Sequence, residues 1–372
     1  MKSLKEALLN RPKNVDITRM AQTVAEEYIN TNYNHSGELS FENINGVCIV
    51  NCDSDVAVKN RKIIKLADGF EWGEVKGNFT CSWCENLISL VGAPEKVGEK
   101  FYCDNCESLT SLKGAPEYVG ETFNCTDCKN LISLEGAPKE VGMIFNCGNC
   151  INLKSLKGAP EKVGGTFTCA DCKNLTSLEG APKEVGGDFY CSYNQNLKSL
   201  VGAPEKVRSF YCYTCDKLTS LEGTPKYVNR FFDCSDCKNL ISLEGAPEKV
   251  GGDFNCSWCD NIKSLEGSPE KVGGKFACYN CNNLESLEGA PKEVGGIFNC
   301  QWCYSLKTLK GAPERVGGTF DCSNCENLIS LEGAPKFVGG RFDCHGCKNL
   351  ISLKGSPKKV KKIDCDMRLK KL

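Results

Sequence analysis

The sequence predicts a mainly β fold, a parallel solenoid with a small α-helical cap at its N-terminus. Three observations carry that expectation. Valine recurs at fourteen positions from Val75 to Val360, with every step 22 residues long except Val207 to Val228, which is 21. Inside each of the thirteen periods so bounded, a Phe-x-Cys run such as Phe189-Tyr190-Cys191 alternates apolar, variable, apolar, the period-two pattern of a half-buried strand. Each period is punctuated by Gly-Ala-Pro or a close variant, and of the 14 prolines only Pro12 stands outside this position.

Taken in order, residues 1–46 lack the repeat and are expected to form a helical cap. Ser3 to Leu9 reads as a short helix stopped near Pro12. Asp16 is a candidate N-cap for a second helix, whose Ile17, Met20, Ala21, Val24, Ala25, Tyr28 and Ile29 fall on one stripe at helical period. That stripe is expected to cover the first turn of the array. Asn30 to Gly37 reads as a polar linker. Residues 47–74 form short β runs around Val47, Ile49, Val56, Val58, Ile64 and Leu66, a degenerate first repeat or two. Residues 75–360 are the thirteen repeats. Residues 361–372 form a C-terminal capping half-repeat that keeps Ile363 and Cys365 and has Arg368 where the second cysteine would stand.

One period shows why these residues recur. Phe189 and Cys191 point inward and Tyr190 outward, on a strand of three to five residues. Copies 22 residues apart would stack with rungs about 4.8 Å apart, lining up the phenylalanines in an interior column. Leu175 and Leu178 supply the next inward pair. Gly180-Ala181-Pro182 makes a corner, where glycine tolerates positive φ and proline suits a turn. Val185 points in, and Gly186-Gly187 turns the chain into the next strand. The first of those two glycines is the more regular, since Glu99, Glu121 and Met143 replace the second.

The order Phe189-x-Cys191-x-x-Asn194-x-x-Leu197 resembles a leucine-rich repeat, over about 290 residues. It is similar to the cysteine-rich 22-residue arrays of bacterial and bacteriophage proteins, with aromatic and cysteine replacing leucine on the strand. The resemblance implies a right-handed solenoid whose strand face recognises other proteins. It also implies that the residue at Asn194 hydrogen-bonds the turn backbone.

Twelve of the thirteen repeats carry Cys-x-x-Cys, and the sixth has Asn194 as its second member. Three readings of the pairs are open. Asn at one copy favours a ladder of neutral, packed thiols, in which cysteine stands in as a weak donor. The spacing also fits zinc or iron–sulfur ligands, in which case Cys81, Cys84, Cys103, Cys106 and the equivalent pairs would bind metal two repeats at a time. Disulfides within repeats would leave Cys191 alone and need an oxidising compartment.

Composition narrows the function classes. With 46 basic and 47 acidic residues there is no global pull toward nucleic acid. The sequence has no 18-residue apolar run and its start has no signal-peptide pattern, so a soluble cytoplasmic protein without a membrane partner is expected. Catalysis has little to draw on: His35 lies in the linker, His345 sits between two cysteines, and neither a phosphate-binding loop nor a unique pair of carboxylates occurs. No enzyme activity and no cofactor are expected.

The variable columns are where a function could sit. The residues before the first cysteine and before the second ladder position are expected to face outward on the strand face. Among them Trp83, Tyr102, Tyr190, Tyr193, Tyr211, Trp258 and Trp302, together with Tyr279 one position earlier in its repeat, are the candidate contact residues for an unidentified protein partner. Trp258 and Trp302, two rungs apart with Tyr279 between them, are the best local candidate. The charges that follow each proline, such as Lys226 and Glu248, are expected to support register and solubility. Alternatives to a protein-binding scaffold are a metal-binding array and a structural spacer.

Overall fold

The computed structural model describes residues 17–367 and 369. The expected helix at Ser3–Leu9, the Asp16 cap and Arg368 lie outside the described residues. The chain is mainly β, a parallel β-solenoid with one helix at the N-terminal end of the described residues. It divides into two compact units: residues up to Cys172 with Gly180–Pro182, and Lys173–Glu179 with Lys183 onward.

The first unit opens with α1 (Ile17–Asn32). Its stripe buries Ala21, Ala25, Tyr28 and Ile29, as the sequence periodicity predicts. Helix α1 runs to Asn32 and leads directly into β1 (Tyr33–His35), so the stretch expected as a linker is largely ordered structure. A hairpin of β2 (Leu39–Ile44) and β3 (Val47–Cys52) follows, antiparallel and in register from Leu39↔Cys52 to Ile44↔Val47. Its turn, Asn45-Gly46, takes positive φ at both residues, 52° and 86°, the pattern of the tight hairpin turn that Asn-Gly favours. The helix and β1 dock through aromatic rings: Tyr28 of the helix meets Phe70 at 5.8 Å and Tyr33 of β1 meets Trp72 at 5.4 Å, both edge-on. Trp72 in turn touches Phe79, the first ring of the interior column. Tyr28 Oη also donates to the Lys65 carbonyl at 2.6 Å. The cap therefore closes the open end of the core with rings rather than with charge.

From β4 (Val56–Val58) and β6 (Phe79–Thr80) onward, each turn adds one short parallel strand at the Phe position and one at the Val position. The Glu71–Val75 strand, β5, begins the regular valine ladder by pairing Val75 with Val97. Registers match the 22-residue period, with Phe101↔Phe123 and Phe123↔Phe145 in the first unit. The second unit continues the same pattern within itself, Phe210↔Phe232, Phe254↔Phe276 and Phe320↔Phe342. Within the repeats most strands are two or three residues long, at or below the three to five expected, because the backbone leaves the strand before the first cysteine.

The interior is a set of columns. Phe79 to Phe145 stack face to face with centroids 5.2–5.5 Å apart and planes within 7°. Phe276, Phe298 and Phe320 do the same in the second unit, at 5.1–5.2 Å. The leucine pairs and the valines are buried beside them. Ring contacts of this kind add about 0.5–1.5 kcal/mol each beyond area burial, so the columns also specify register.

Two glycine positions have distinct physical roles. The corner glycine, for example Gly245 at φ 86°, needs its left-handed conformation. The first glycine after valine does not; its φ is ordinary, and what excludes a side chain is close approach. A Cβ on Gly295 would lie 2.1 Å from the carbonyl oxygen of Gly273 in the preceding turn. The 21-residue period is absorbed without a register shift, since Phe189 still faces Phe210 and Asp188 faces Ser209. The last strand, Lys359–Asp364, pairs with Phe337–Asp343 around a bulge and keeps Ile363 opposite Phe342.

Candidate functional site

Both cysteine columns are buried as free thiols, and each uses its S–H on backbone. The second cysteine of a turn donates to the carbonyl of the first cysteine one turn back, as in Cys106 to Cys81 at 3.2 Å and Cys303 to Cys278 at 3.2 Å. The first cysteine donates forward, as in Cys256 to the Ala277 carbonyl at 3.4 Å. Asn194 Nδ2 reaches the Cys191 carbonyl, 2.9 Å away within its own turn. Cys215 donates to that same carbonyl at 3.4 Å. Burial pushes the thiols up, Cys215 and Cys259 to about 12, and Cys212, Cys234 and Cys278 well above the ordinary value. Among the described residues no group of three or more Cys, His, Asp or Glu side chains is arranged to hold a metal ion. Within the Cys81, Cys84, Cys103 and Cys106 quartet, Cys106 donates to the Cys81 carbonyl, and the Cys103 carbonyl accepts from Cys128.

The residues between the two cysteines have a geometry that the strand alternation alone does not convey. The residue before the second cysteine has positive φ in twelve successive turns from Trp83 to Asn324, and in Gly346. It therefore lies in the turn that follows the strand rather than on the strand itself. Asn, Asp and Gly are the residues that accept this conformation readily, and they fill most copies. Trp83 (φ 63°), Tyr193 (61°), Thr214 (56°), Trp258 (64°) and Trp302 (60°) are the exceptions. The four aromatic ones remain 39–49 % exposed.

In the first unit, Trp83 is exposed in its turn, and Tyr102 is half-buried on its strand opposite Asn124. Neither has a ring partner among the described aromatic contacts. In the second unit the candidates assemble in pairs. Tyr190 and Tyr211 stack at 4.4 Å with planes 5° apart. Burial, followed by the neighbouring Tyr211, lifts the Tyr190 hydroxyl to about 12. Tyr193 meets Tyr213 edge-on at 5.0 Å, and Trp258 meets Tyr279 edge-on at 6.3 Å. Trp302 packs its edge against Tyr304, 6.4 Å away. Beside the tyrosines, Arg208 makes a two-pronged pair with Asp188, at 2.9 and 2.6 Å. The Arg208 hydrogen bond holds the Asp188 carboxyl below its usual range.

Sequence reasoning missed Tyr213, Tyr304, Phe231 and Lys275. Tyr213 occupies the first place between the cysteines, a column it shares with Tyr279, and that coincidence was the available signal. Phe231 and Lys275 stand just before the strand phenylalanine and face outward beside Tyr211, Asp233 and Asn255. Together with Phe232, Asp253, Phe254 and Ala277 they line a shallow cavity of ≈ 240 Å³. Lys275 Nζ lies 5.5 Å over the Tyr279 ring.

The opposite edge carries the charge ladder expected from the residues after each proline. Lys226–Glu248 at 3.6 Å and Lys336–Glu314 at 3.1 Å join adjacent turns, exposed and therefore worth little individually. His345 is exposed and bonds Asp343 at 2.6 Å. No family model matches the chain, and no curated protein matches it. No helix among the described residues is long and apolar enough to cross a membrane.

Proposed function

We propose that the protein is a non-enzymatic scaffold that binds another protein through the variable residues of its strand face and the turn beside it. One observation carries this reading: Trp83, Tyr193, Trp258 and Trp302 stand half-exposed in a backbone conformation that neighbouring turns fill with Asn, Asp or Gly. Left-handed backbone costs a residue with a Cβ about 1–2 kcal/mol. Adjacent turns build the same core without an aromatic there, so the fold does not require these rings. Exposed Trp and Tyr beside Asn and Asp have the composition of interface hot spots. The resemblance to leucine-rich repeats of bacterial and bacteriophage proteins supports the same reading, and neutral free thiols favour a reducing, cytoplasmic setting.

The test is affinity capture from a host lysate with the wild-type chain and with the double variant Trp258→Ala, Trp302→Ala. Capture of a partner by the wild type and its loss in the folded double variant is the expected result. Equal capture by both would place the contact on another surface, and no capture by the wild type would leave the array a spacer.

A further inference from the structure

The strand face is chemically one-sided in a way that specifies its occupant. Three positions per turn, the residue before the first cysteine and the two between the cysteines, recur through all thirteen repeats, and most of their residues are half-buried or exposed. Those columns contain nine aromatic residues and seven aspartates, and no lysine or arginine, in a chain with 46 of them. The basic residues are placed immediately outside, for instance at Lys238, Lys275 and Lys348. A face of aromatic rings and carboxylates attracts cations through both the ring quadrupole and the charge.

The second unit shows the arrangement in detail. Asp236 immediately precedes Trp258 in the column of left-handed residues, its N–H bonded to Ser257 of the next turn. Asp233 and Asp253 border the ≈ 240 Å³ cavity with Tyr211 and Phe231. Among the described residues none of Asp233, Asp236 and Asp253 forms an ion pair, and no cation lies over Trp258 or Trp302. Where the chain's own basic side chains can reach an outward ring, they sit on it: Arg230 on Phe231 at 5.5 Å and Lys275 on Tyr279 at 5.5 Å. The carboxylates at the centre of the face accept hydrogen bonds from Ser235, Asn255, Thr214 and the Lys275 N–H, and it is a charge partner that they lack.

We propose that the partner presents an extended, lysine- or arginine-bearing segment along the stretch from Tyr211 to Trp302. This deepens the reading that the strand face is the binding surface, and rests on it. One basic side chain enters the cavity between Asp233 and Asp253, and another lies against the Trp258 indole beside Asp236. Adjacent turns are about 4.8 Å apart, so Trp258 and Trp302, two turns apart, are separated by about 10 Å. Residues three apart in an extended chain rising about 3.1 Å per residue span nearly that distance. Lys275 competes for Tyr279 and repels the incoming charge.

The experiment is fluorescence anisotropy of the full chain with a labelled Arg-Gly-Ser repeat peptide, in low and in half-molar salt. A Glu-Gly-Ser peptide of equal length and a labelled single-stranded oligonucleotide are the comparison probes. Only the arginine peptide should bind, more weakly in high salt. Trp258→Ala and Asp233→Asn should each weaken it about fivefold, whereas Lys275→Ala should tighten it. Circular dichroism of each variant establishes that it is folded. Binding of the acidic peptide or of the oligonucleotide with equal or greater affinity, or no binding by the arginine peptide, overturns the proposal. If a lysate partner still depends on Trp258 and Trp302 in that event, the strand face stands as the binding surface and only the basic character of its occupant fails. Arginine-peptide binding indifferent to all three substitutions places the site elsewhere and overturns both.

Discussion

Thiol labelling of the native chain gives a graded test of the cysteine ladder. Of the 28 cysteines, 27 are buried and Cys365 is partly accessible. Only the thiolate reacts with an alkylating reagent. For Cys215 and Cys259, burial lifts the thiol from 9.0 to about 12, which lowers the thiolate fraction about a thousandfold at neutral pH. Steric exclusion multiplies this, because the reagent must wait for a local opening. At pH 8 Cys215 and Cys259 should therefore alkylate more than about a thousand times slower than an exposed thiol. Intact-mass analysis after brief iodoacetamide treatment should show one rapid adduct, mapping to Cys365. The same treatment in guanidinium should modify every cysteine. Rapid modification of several cysteines from the middle of either unit, in protein that is folded by circular dichroism, would refute the assignment of these residues as neutral, packed donors.

Four further outcomes follow from the geometry. Replacing Cys281 by Ala removes the donor to the Cys256 carbonyl and should cost about 1–3 kcal/mol in urea unfolding; Cys281→Asn, whose amide can donate to the Cys278 carbonyl of its own turn as Asn194 does to Cys191, should cost less than Ala. Gly295→Ala should destabilise by about 1–3 kcal/mol or more through contact with the Gly273 carbonyl, whereas Gly46→Ala, with nothing within 4 Å, should show only the roughly 1–2 kcal/mol strain of positive φ. His345 is raised above its ordinary value by its hydrogen bond to Asp343. Its stabilisation is thus fully present below the unfolded pKa of about 6.5 and is lost as pH rises through the higher folded value. Urea unfolding midpoints should accordingly fall between acid and alkaline buffers more in the wild type than in His345→Gln. Elemental analysis of reduced, purified protein should find less than one zinc or iron per chain; a stoichiometry near one ion per two repeats would instead identify the cysteine pairs as ligands.

The repeat, its inward columns and the stripe of α1 are legible in sequence because each depends on a short, local periodicity. Phe189, Cys191, Leu197 and Val207 alternate or recur at fixed intervals, and burial follows directly. The hairpin at Asn45-Gly46 carries a strong local signal, but it lies within a segment whose dominant pattern is helical. The left-handed conformation between the cysteines is harder to read. Asn105, Asp127 and Asn149 announce it, whereas Trp83, Tyr193 and Trp258 occupy the same backbone without the usual residue type. The pairing of Tyr190 with Tyr211 follows from register alone, since both precede the first cysteine. The cavity beside Phe231 and Lys275 does not, because it arises from a column whose residues share no chemistry.

Tryptophan emission reports on the central claim directly. The chain has four tryptophans, of which Trp72 is buried under the cap while Trp83, Trp258 and Trp302 are exposed between the cysteines. Titration with the arginine-bearing peptide should therefore change the emission and protect it from acrylamide quenching, and Trp258→Phe with Trp302→Phe should remove most of that response. Saturable binding with no change in tryptophan emission or quenching would place the partner on another surface and contradict the account.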